Sequence, residues 1–175
     1  MTIGKKAVRI RIESQGGGQT SSLQAQGEWY TTPTGANYVR YPEPDPAYGR
    51  TTTTVKWSAT DIRVLRHGDV ESDQTFVSGV RMTGSYKLPP EALEPEAEQG
   101  SNPEAGHNAP ARPRSVAAAG ATRPKPKRLL LETVTRTIAH RGRERGHSVK
   151  WKYELYVDGQ FTGIYKLRLD IEELD

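Results

Sequence analysis

The stretch that decides the fold is VKWKYELYVDGQFTGIYKLRLDI, residues 149–171. Apolar side chains occupy alternate positions on both sides of Asp158-Gly159, and charged side chains such as Lys150 and Lys166 fall between them. A period of two predicts two β-strands, each with one buried face. Asp-Gly favours a tight turn, so we expect the two runs to form a hairpin.

The length of the hairpin loop decides which side chains share a face. A two-residue loop would place Leu155 opposite Thr162 and put the two apolar sets on opposite faces. A three-residue loop, 157–159, with Gly159 in the left-handed region as a bulge, puts them on the same face. We therefore predict the three-residue loop, whose register pairs Leu155 with Phe161 and Trp151 with Tyr165.

Short alternating or β-branched runs continue through most of the chain, separated by glycine, proline and asparagine turns. With the hairpin they amount to about ten strands and no convincing amphipathic helix. Hairpin connections favour antiparallel pairing, and closure removes the edges that so many strands would expose. The sequence thus predicts an all-β chain with one domain, 1–175, folded as a single antiparallel β-barrel of eight to ten strands. The remaining predicted strands are 8–13, 23–29, 38–43, 51–57, 61–67, 72–77, 80–88 and 129–139.

Residues 91–127 break this pattern. They are rich in Pro, Ala, Gly and Glu, with acidic residues in the first half, basic residues in the second, and no hydrophobic period. Such a stretch cannot bury enough apolar surface to offset a chain entropy of about 1–2 kcal/mol per ordered residue. We expect a disordered insertion, which a barrel tolerates because loop closure entropy rises slowly with length.

Composition narrows the class of protein. The chain has no cysteine, which excludes disulfides, thiol catalysis and thiolate metal sites. It shows no apolar signal segment at its start and no apolar run long enough to cross a bilayer, so we expect a cytoplasmic protein without membrane contact. The net charge of +4 is spread along the chain. The one basic cluster, Arg141, Arg143 and Arg145, is typical of a solvated hairpin tip, with RNA or an acidic partner as the alternative, so nucleic-acid binding is not expected.

The central segment carries a spaced motif, Arg66-x-Gly68-x7-Phe76-x2-Gly79-x6-Tyr86. This motif resembles the YwiB-like family of small, uncharacterised bacterial proteins. Further matches are the runs at 8–12, 38–43, 51–56 and 153–156, so the resemblance covers nearly the whole chain outside 91–127. It departs after Tyr86, where Lys87-Leu88-Pro89-Pro90 leads into the insertion. The resemblance implies a calycin-like (lipocalin-like) barrel and no catalytic residues.

Arg66 is the first candidate site residue. It shares a strand face with Ile62 and Val64, so its guanidinium either projects into the barrel or leaves at the strand end. A buried guanidinium needs a partner, which is either an internal carboxylate or the carboxylate or phosphate of a ligand. The aromatic residues Tyr86, Trp151, Tyr153 and Tyr165 could line a cavity around it, or they could fill the barrel completely.

Other groupings are weaker candidates. His67, Asp69 and Glu71 alternate as metal ligands on one strand face would, but Gly68-Asp69 favours a turn that scatters them. His140 and His147 flank the basic tip and could converge.

The tripeptide Gly27-Glu28-Trp29 resembles the Gly-x-Trp motif in the first strand of lipocalins. In lipocalins the indole of this tryptophan closes one end of the barrel beneath an arginine. Arg66 or Arg168 would supply that cation. The alternative is that the tripeptide has a structural role only.

Two functions remain open at this level. The first is a non-enzymatic barrel that binds a small amphipathic or anionic ligand. The second is an interaction or scaffold module that presents 91–127 and the basic tip to protein or RNA. No nucleophile elbow or metal-ligand spacing is present, so we expect no enzyme activity, no metal and no cofactor. Oligomeric state is left open.

Overall fold

The computed structural model describes residues 4–87 and 128–175; the predicted insertion at 91–127 lies outside them. Within the described residues there is no α-helix, and no helix there could span a bilayer. One 3-10 helix, Pro46–Tyr48, follows the third strand. The ten strands are β1 Gly4–Gly16, β2 Gln19–Thr31, β3 Asn37–Pro42, β4 Thr51–Trp57, β5 Asp61–Gly68, β6 Glu71–Val77, β7 Arg81–Lys87, β8 Arg128–Arg143, β9 Gly146–Val157 and β10 Gln160–Glu173.

Each strand pairs antiparallel with the next one along the chain, and β1 pairs with β10 to close the barrel. The predicted all-β antiparallel barrel is confirmed, with ten strands at the upper end of the expected range. β7 and β8 pair without interruption from Arg81↔Val134 to Lys87↔Arg128, even though 40 residues separate the two strands in sequence. Closure of such a long connection costs little more than closure of a short one.

The C-terminal hairpin has a shorter turn than predicted. Val157 pairs with Gln160, so only Asp158 and Gly159 form the loop. Both have positive φ, 49° and 82°, as a type I′ turn requires. The prediction of a three-residue loop was therefore wrong.

The extra residue that keeps both apolar sets inside the barrel lies in β10 and not in the turn. The register of β10 against β9 shifts between Phe161 and Gly163. Leu155 consequently pairs with Gly163, and Trp151 pairs with Leu167 in place of Tyr165. Phe161, predicted to face inward, is 57% exposed on the outside.

Alternation carries one face of every strand into the barrel, where side chains such as Val8, Ile10, Val39, Ile62 and Val149 are fully buried. The two ends differ. At the end bounded by the connections 32–36, 58–60, 78–80 and 144–145, which we call the closed end, the Trp57 indole is buried and its ring centroid lies 5.2 Å from that of His147. The opposite end, bounded by the β1–β2 turn, the 43–50 loop and the β9–β10 turn, is the mouth.

Candidate ligand-binding cavity

An open cavity of about 430 Å³ occupies the mouth end of the barrel. The inward side chains near the mouth ends of the strands form its wall, with Phe76 and Trp151 further down their strands. The barrel is therefore not completely filled, and its volume lies within the range of small-molecule sites. All five site residues expected from the sequence line this cavity: Arg66, Tyr86, Trp151, Tyr153 and Tyr165.

Arg66 is held by an internal carboxylate. Its Nε donates to Glu43 Oε1 at 3.2 Å, and the same oxygen accepts a hydrogen bond from Thr53 Oγ1. The Glu43 side chain is 4% exposed and the Arg66 side chain 19% exposed. The carboxylate is thus the more buried partner, and both residues line the cavity. No other hydrogen bond from Arg66 to a described residue is present, so its two terminal nitrogens keep their donors available.

The ring of Tyr48 packs against the same guanidinium, with Arg66 Cζ 5.0 Å from the ring centroid. Tyr48 reaches this position because the 3-10 helix begins at the mouth just after β3. Asp45 caps that helix by accepting from the Ala47 amide at 2.9 Å, and Thr51 Oγ1 donates to the Tyr48 carbonyl. Stacking and the carboxylate together fix the guanidinium at the cavity wall.

Aromatic rings form much of the remaining wall. Tyr153 lies with its ring centroid 4.7 Å from that of Phe76 and stacks on Tyr165 at 5.7 Å. Phe76 also contacts Trp151 at 5.9 Å. The contacts of Phe76 cross the barrel from β6 to β9, and Tyr153 and Tyr165 are directly opposed on the neighbouring strands β9 and β10, so the rings hold one another in place.

Burial keeps three tyrosine hydroxyls at the cavity protonated. It raises the pKa of Tyr41 and of Tyr153 well above the ordinary value of about 10, and it raises the pKa of Tyr86 in the same direction. At neutral pH these phenols are hydrogen-bond donors and acceptors, and they are not bases.

Sequence reasoning missed Glu43, Tyr41 and Tyr48. Alternation inward from Val39 through Tyr41 to Glu43 was available as a signal, because 38–43 was predicted as a strand. The proline series that follows directed attention to a loop. No local sequence pattern indicates that Tyr48 faces the cavity, because the 3-10 helix within the loop determines where its side chain points.

The remaining candidates do not form sites. Gly68-Asp69 turns the chain as expected, and Asp69 Oδ2 accepts from the Arg50 amide at 2.8 Å while Glu71 pairs with Lys87 at 3.7 Å. His67, Asp69 and Glu71 therefore do not converge. No group of three or more potential metal ligands occurs within residues 4–87 and 128–175.

The rings of His140 and His147 do converge, stacked with centroids 5.6 Å apart at the closed end. Burial, together with the neighbouring His140, lowers the pKa of His147. Trp29 also lies at this end, but the cation over its ring is Lys6, with Nζ 5.6 Å from the centroid. The predicted arginine partner was wrong, because Arg66 lies at the mouth on Tyr48 and Arg168 pairs with Asp170.

The basic tip is exposed and largely paired. Arg143 lies 3.5 Å from Asp170, and Arg145 pairs with the carboxylate of Asp175. Arg141 has no carboxylate within 4 Å among the described residues.

The structure explains the spaced motif physically. Arg66 and Tyr86 line the cavity, and Phe76 is 1% exposed beneath it. A Cβ at Gly68 would lie 2.1 Å from the Arg50 carbonyl oxygen, so no side chain fits there. Gly79 has φ +76° in the β6–β7 turn. The motif residues thus support the mouth and the turns of the central strands.

Comparison with known proteins agrees with this fold. The crystal structure of the ywiB protein from Bacillus subtilis superposes with a TM-score of 0.69 at 18% sequence identity, covering 99% of this chain and 96% of that chain. No curated protein matches. The family model described as a domain of unknown function, DUF1934, matches residues 7–99, which is more than half of the chain. The resemblance to a YwiB-like family is confirmed, and the chain belongs to the DUF1934 family.

Proposed function

We propose that this barrel is a cytoplasmic binding protein that takes an amphipathic ligand with one negative charge into the mouth cavity. The observation that carries the proposal is Arg66, whose Nε is held by Glu43 while the rest of the guanidinium faces an aromatic cavity of about 430 Å³. A guanidinium fixed in this way can bind a carboxylate by donating hydrogen bonds from its two terminal nitrogens. The cytoplasmic location stays a prediction from the sequence.

The charges around the cavity favour a singly charged head group. Glu43 and Asp45 line the same cavity as Arg66. Arg66 and Glu43 form an ion pair that carries no net charge, and Asp45 adds a further negative charge nearby. A dianion would meet these carboxylates at low local dielectric, where like charges repel strongly. A carboxylate with an apolar tail matches both the guanidinium and the aromatic wall.

Trp151 adds a second reason to expect a ligand. The side chain is 5% exposed, and its Nε1 has no hydrogen-bond partner among the described residues. An unpaired buried donor costs about 1–3 kcal/mol. A ligand with an acceptor near its apolar end could relieve part of this cost.

We infer binding without catalysis. Glu43, the carboxylate closest to Arg66, is occupied by Arg66 and Thr53, and the raised pKa of Tyr153 and of Tyr41 keeps both phenols protonated. None of these groups is poised as a general base at neutral pH.

The alternative function is an interaction module. Its main surface, 91–127, lies outside the described residues, and the basic tip is largely paired with carboxylates. The cavity therefore supports the binding function better.

The test uses a fluorescent carboxylate, 11-(dansylamino)undecanoic acid, and its methyl ester. Titration of the protein with the acid should give blue-shifted emission and saturable binding, and the ester should bind at least tenfold more weakly. The variant Arg66→Met combined with Glu43→Gln removes the guanidinium without leaving an unpaired carboxylate, and it should reduce the preference for the acid to near unity.

Arg63→Met is the matched control. Arg63 lies on the same strand but points outward, where it pairs with Asp73 at 2.8 Å. This variant should bind the acid like the unmodified protein. Equal binding of acid and ester by the unmodified protein, or an unchanged preference in the Arg66 variant, would remove the proposal.

A further inference from the structure

The outer face of β9 and β10 carries two like-charged pairs. Lys152 lies directly opposite Lys166, and Lys150 lies directly opposite Arg168. Cβ atoms of directly opposed residues lie about 4.5–5.5 Å apart, and like charges there destabilise a sheet. The observed register produces this arrangement, because the β10 bulge sets Lys152 against Lys166; the register expected from the sequence would have set it against Ile164.

The acidic residues around these cations are already paired. Glu13 lies 2.7 Å from Arg11, Glu154 pairs with Arg136, and Asp170 lies 2.7 Å from Arg168. No carboxylate of a described residue lies within 4 Å of Lys150, Lys152 or Lys166. With Arg141 on the neighbouring strand β8, four cations on this face lack a counter-ion among residues 4–87 and 128–175.

An open groove of about 570 Å³ runs over this face. Lys150, Lys152, Lys166 and Arg168 line it together with Glu13, with polar residues of the β1–β2 hairpin such as Thr20 and Ser22, and with the largely buried Trp151 and Leu167. Positions i and i+2 on a strand are about 6.6–6.8 Å apart. The lysines therefore lie within the Debye length of about 8 Å at physiological salt, and their charges act together on a bound polyanion.

The surroundings decide the kind of partner. The strands that carry the four cations, β9 and β10, are paired on both sides in this region, so neither offers a free edge to a peptide. The exposed large apolar side chains of the described residues, Val80, Leu130, Phe161 and Ile164, all lie outside the groove lining. An apolar protein interface and membrane insertion are both disfavoured for this reason. Unpaired bases would also find no exposed aromatic side chain within the groove lining on which to stack.

We propose that this face, the groove defined by Lys150, Lys152, Lys166 and Arg168, binds the phosphate backbone of duplex nucleic acid without sequence specificity. Phosphates supply closely spaced negative charge that neutralises the like-charged pairs. The repulsion that the fold retains in the free protein is then relieved on binding. Its four cations do not line the mouth cavity.

The test is fluorescence anisotropy with a short fluorescein-labelled duplex DNA. With three phosphate contacts, one for each of the unpaired Lys150, Lys152 and Lys166, the logarithm of the association constant should fall against the logarithm of salt concentration with a slope of about −2.7, which is about 40-fold between 50 and 200 mM salt. Lys152→Glu should lower the magnitude of the slope to about 1.8 or less and weaken binding at low salt more than tenfold.

Lys56→Glu is the matched control, because it makes the same charge change on β4, on the other side of the barrel. It should keep most of the affinity. Lys152→Glu should also raise the melting temperature, since it turns a like-charged pair with Lys166 into an opposite-charged one. A folded Lys152→Glu variant with the affinity of Lys56→Glu, or equally tight binding of poly-L-glutamate, would overturn the proposal.

Discussion

The pair formed by Arg66 and Glu43 permits a quantitative test of how the mouth is built. Breaking a fully buried ion pair by removing one partner costs about 3–5 kcal/mol. The two partners are buried unequally, since the Glu43 side chain is 4% exposed and the Arg66 side chain 19% exposed. The two single substitutions should therefore differ in cost.

Arg66→Met leaves the more buried carboxylate with only the Thr53 hydroxyl as partner. We expect a loss of about 3–5 kcal/mol in the free energy of unfolding, or roughly 6–20 °C in melting temperature for a chain of this size. Glu43→Gln leaves a guanidinium that water in the cavity can reach. The expected loss is about 1.5–3 kcal/mol, the value of a hydrogen bond to a charged group.

The double variant has no unpaired charge, so its cost should be smaller than the sum of the single costs by about 0.5–3 kcal/mol. Urea unfolding at pH 7, monitored by tryptophan fluorescence, measures all three values. Arg63→Met, which breaks an ion pair whose side chains are 47% and 45% exposed, should cost at most about 1 kcal/mol. Additive costs for the two single variants, or a larger loss for Glu43→Gln than for Arg66→Met, would refute the asymmetric burial on which this argument depends.

Three further predictions concern the fold. Gly68→Ala should lower the melting temperature more than Gly79→Ala. A Cβ at position 68 would clash with the Arg50 carbonyl oxygen. A Cβ at position 79 has no atom within 4 Å, so that substitution costs only the strain of a positive φ, about 1–2 kcal/mol. The lowered pKa of His147 means that the unfolded chain binds the proton first as pH falls. Stability should therefore fall as pH drops below about 6.5, and His147→Phe should flatten the urea midpoint between about pH 7.5 and 5.5. Phe161→Thr should lower the unfolding free energy by at most about 1 kcal/mol, the value of its cross-strand aromatic pair with Tyr156, because Phe161 is 57% exposed; a loss of several kcal/mol would show that Phe161 is part of the core.

Much of the cavity could be predicted because alternation is a local property. Tyr153, Tyr165 and Trp151 lie on the apolar face of their strands, and that face must turn inward wherever the sheet closes. Arg66 follows Ile62 and Val64 on the same face, so its position inside the mouth was also predictable. The sequence left open whether the barrel was filled or hollow, since that depends on how rings from opposite strands meet.

Glu43 and Tyr48 show where local reasoning ends. The carboxylate that holds Arg66 is 23 residues away in sequence, and strands β3 and β5 approach each other only through β4. The ring that stacks on the guanidinium depends on a 3-10 turn capped by Asp45. Neither contact has a fixed sequence spacing, so neither produces a motif.

The sequence by itself determined the strands, their inward faces apart from Phe161, and the closed antiparallel wiring, because hydrophobic period and turn chemistry act over a few residues. The tertiary structure decided the register of the C-terminal hairpin, the partner of Arg66 and the opposition of Lys152 and Lys166. A single bulge residue in β10 moves every pair beyond it, and its position depends on packing across the whole barrel. The basic residues of β9 and β10 alternate with apolar residues along each strand, and they form a basic face only because the register places Lys152 beside Lys166 and Lys150 beside Arg168.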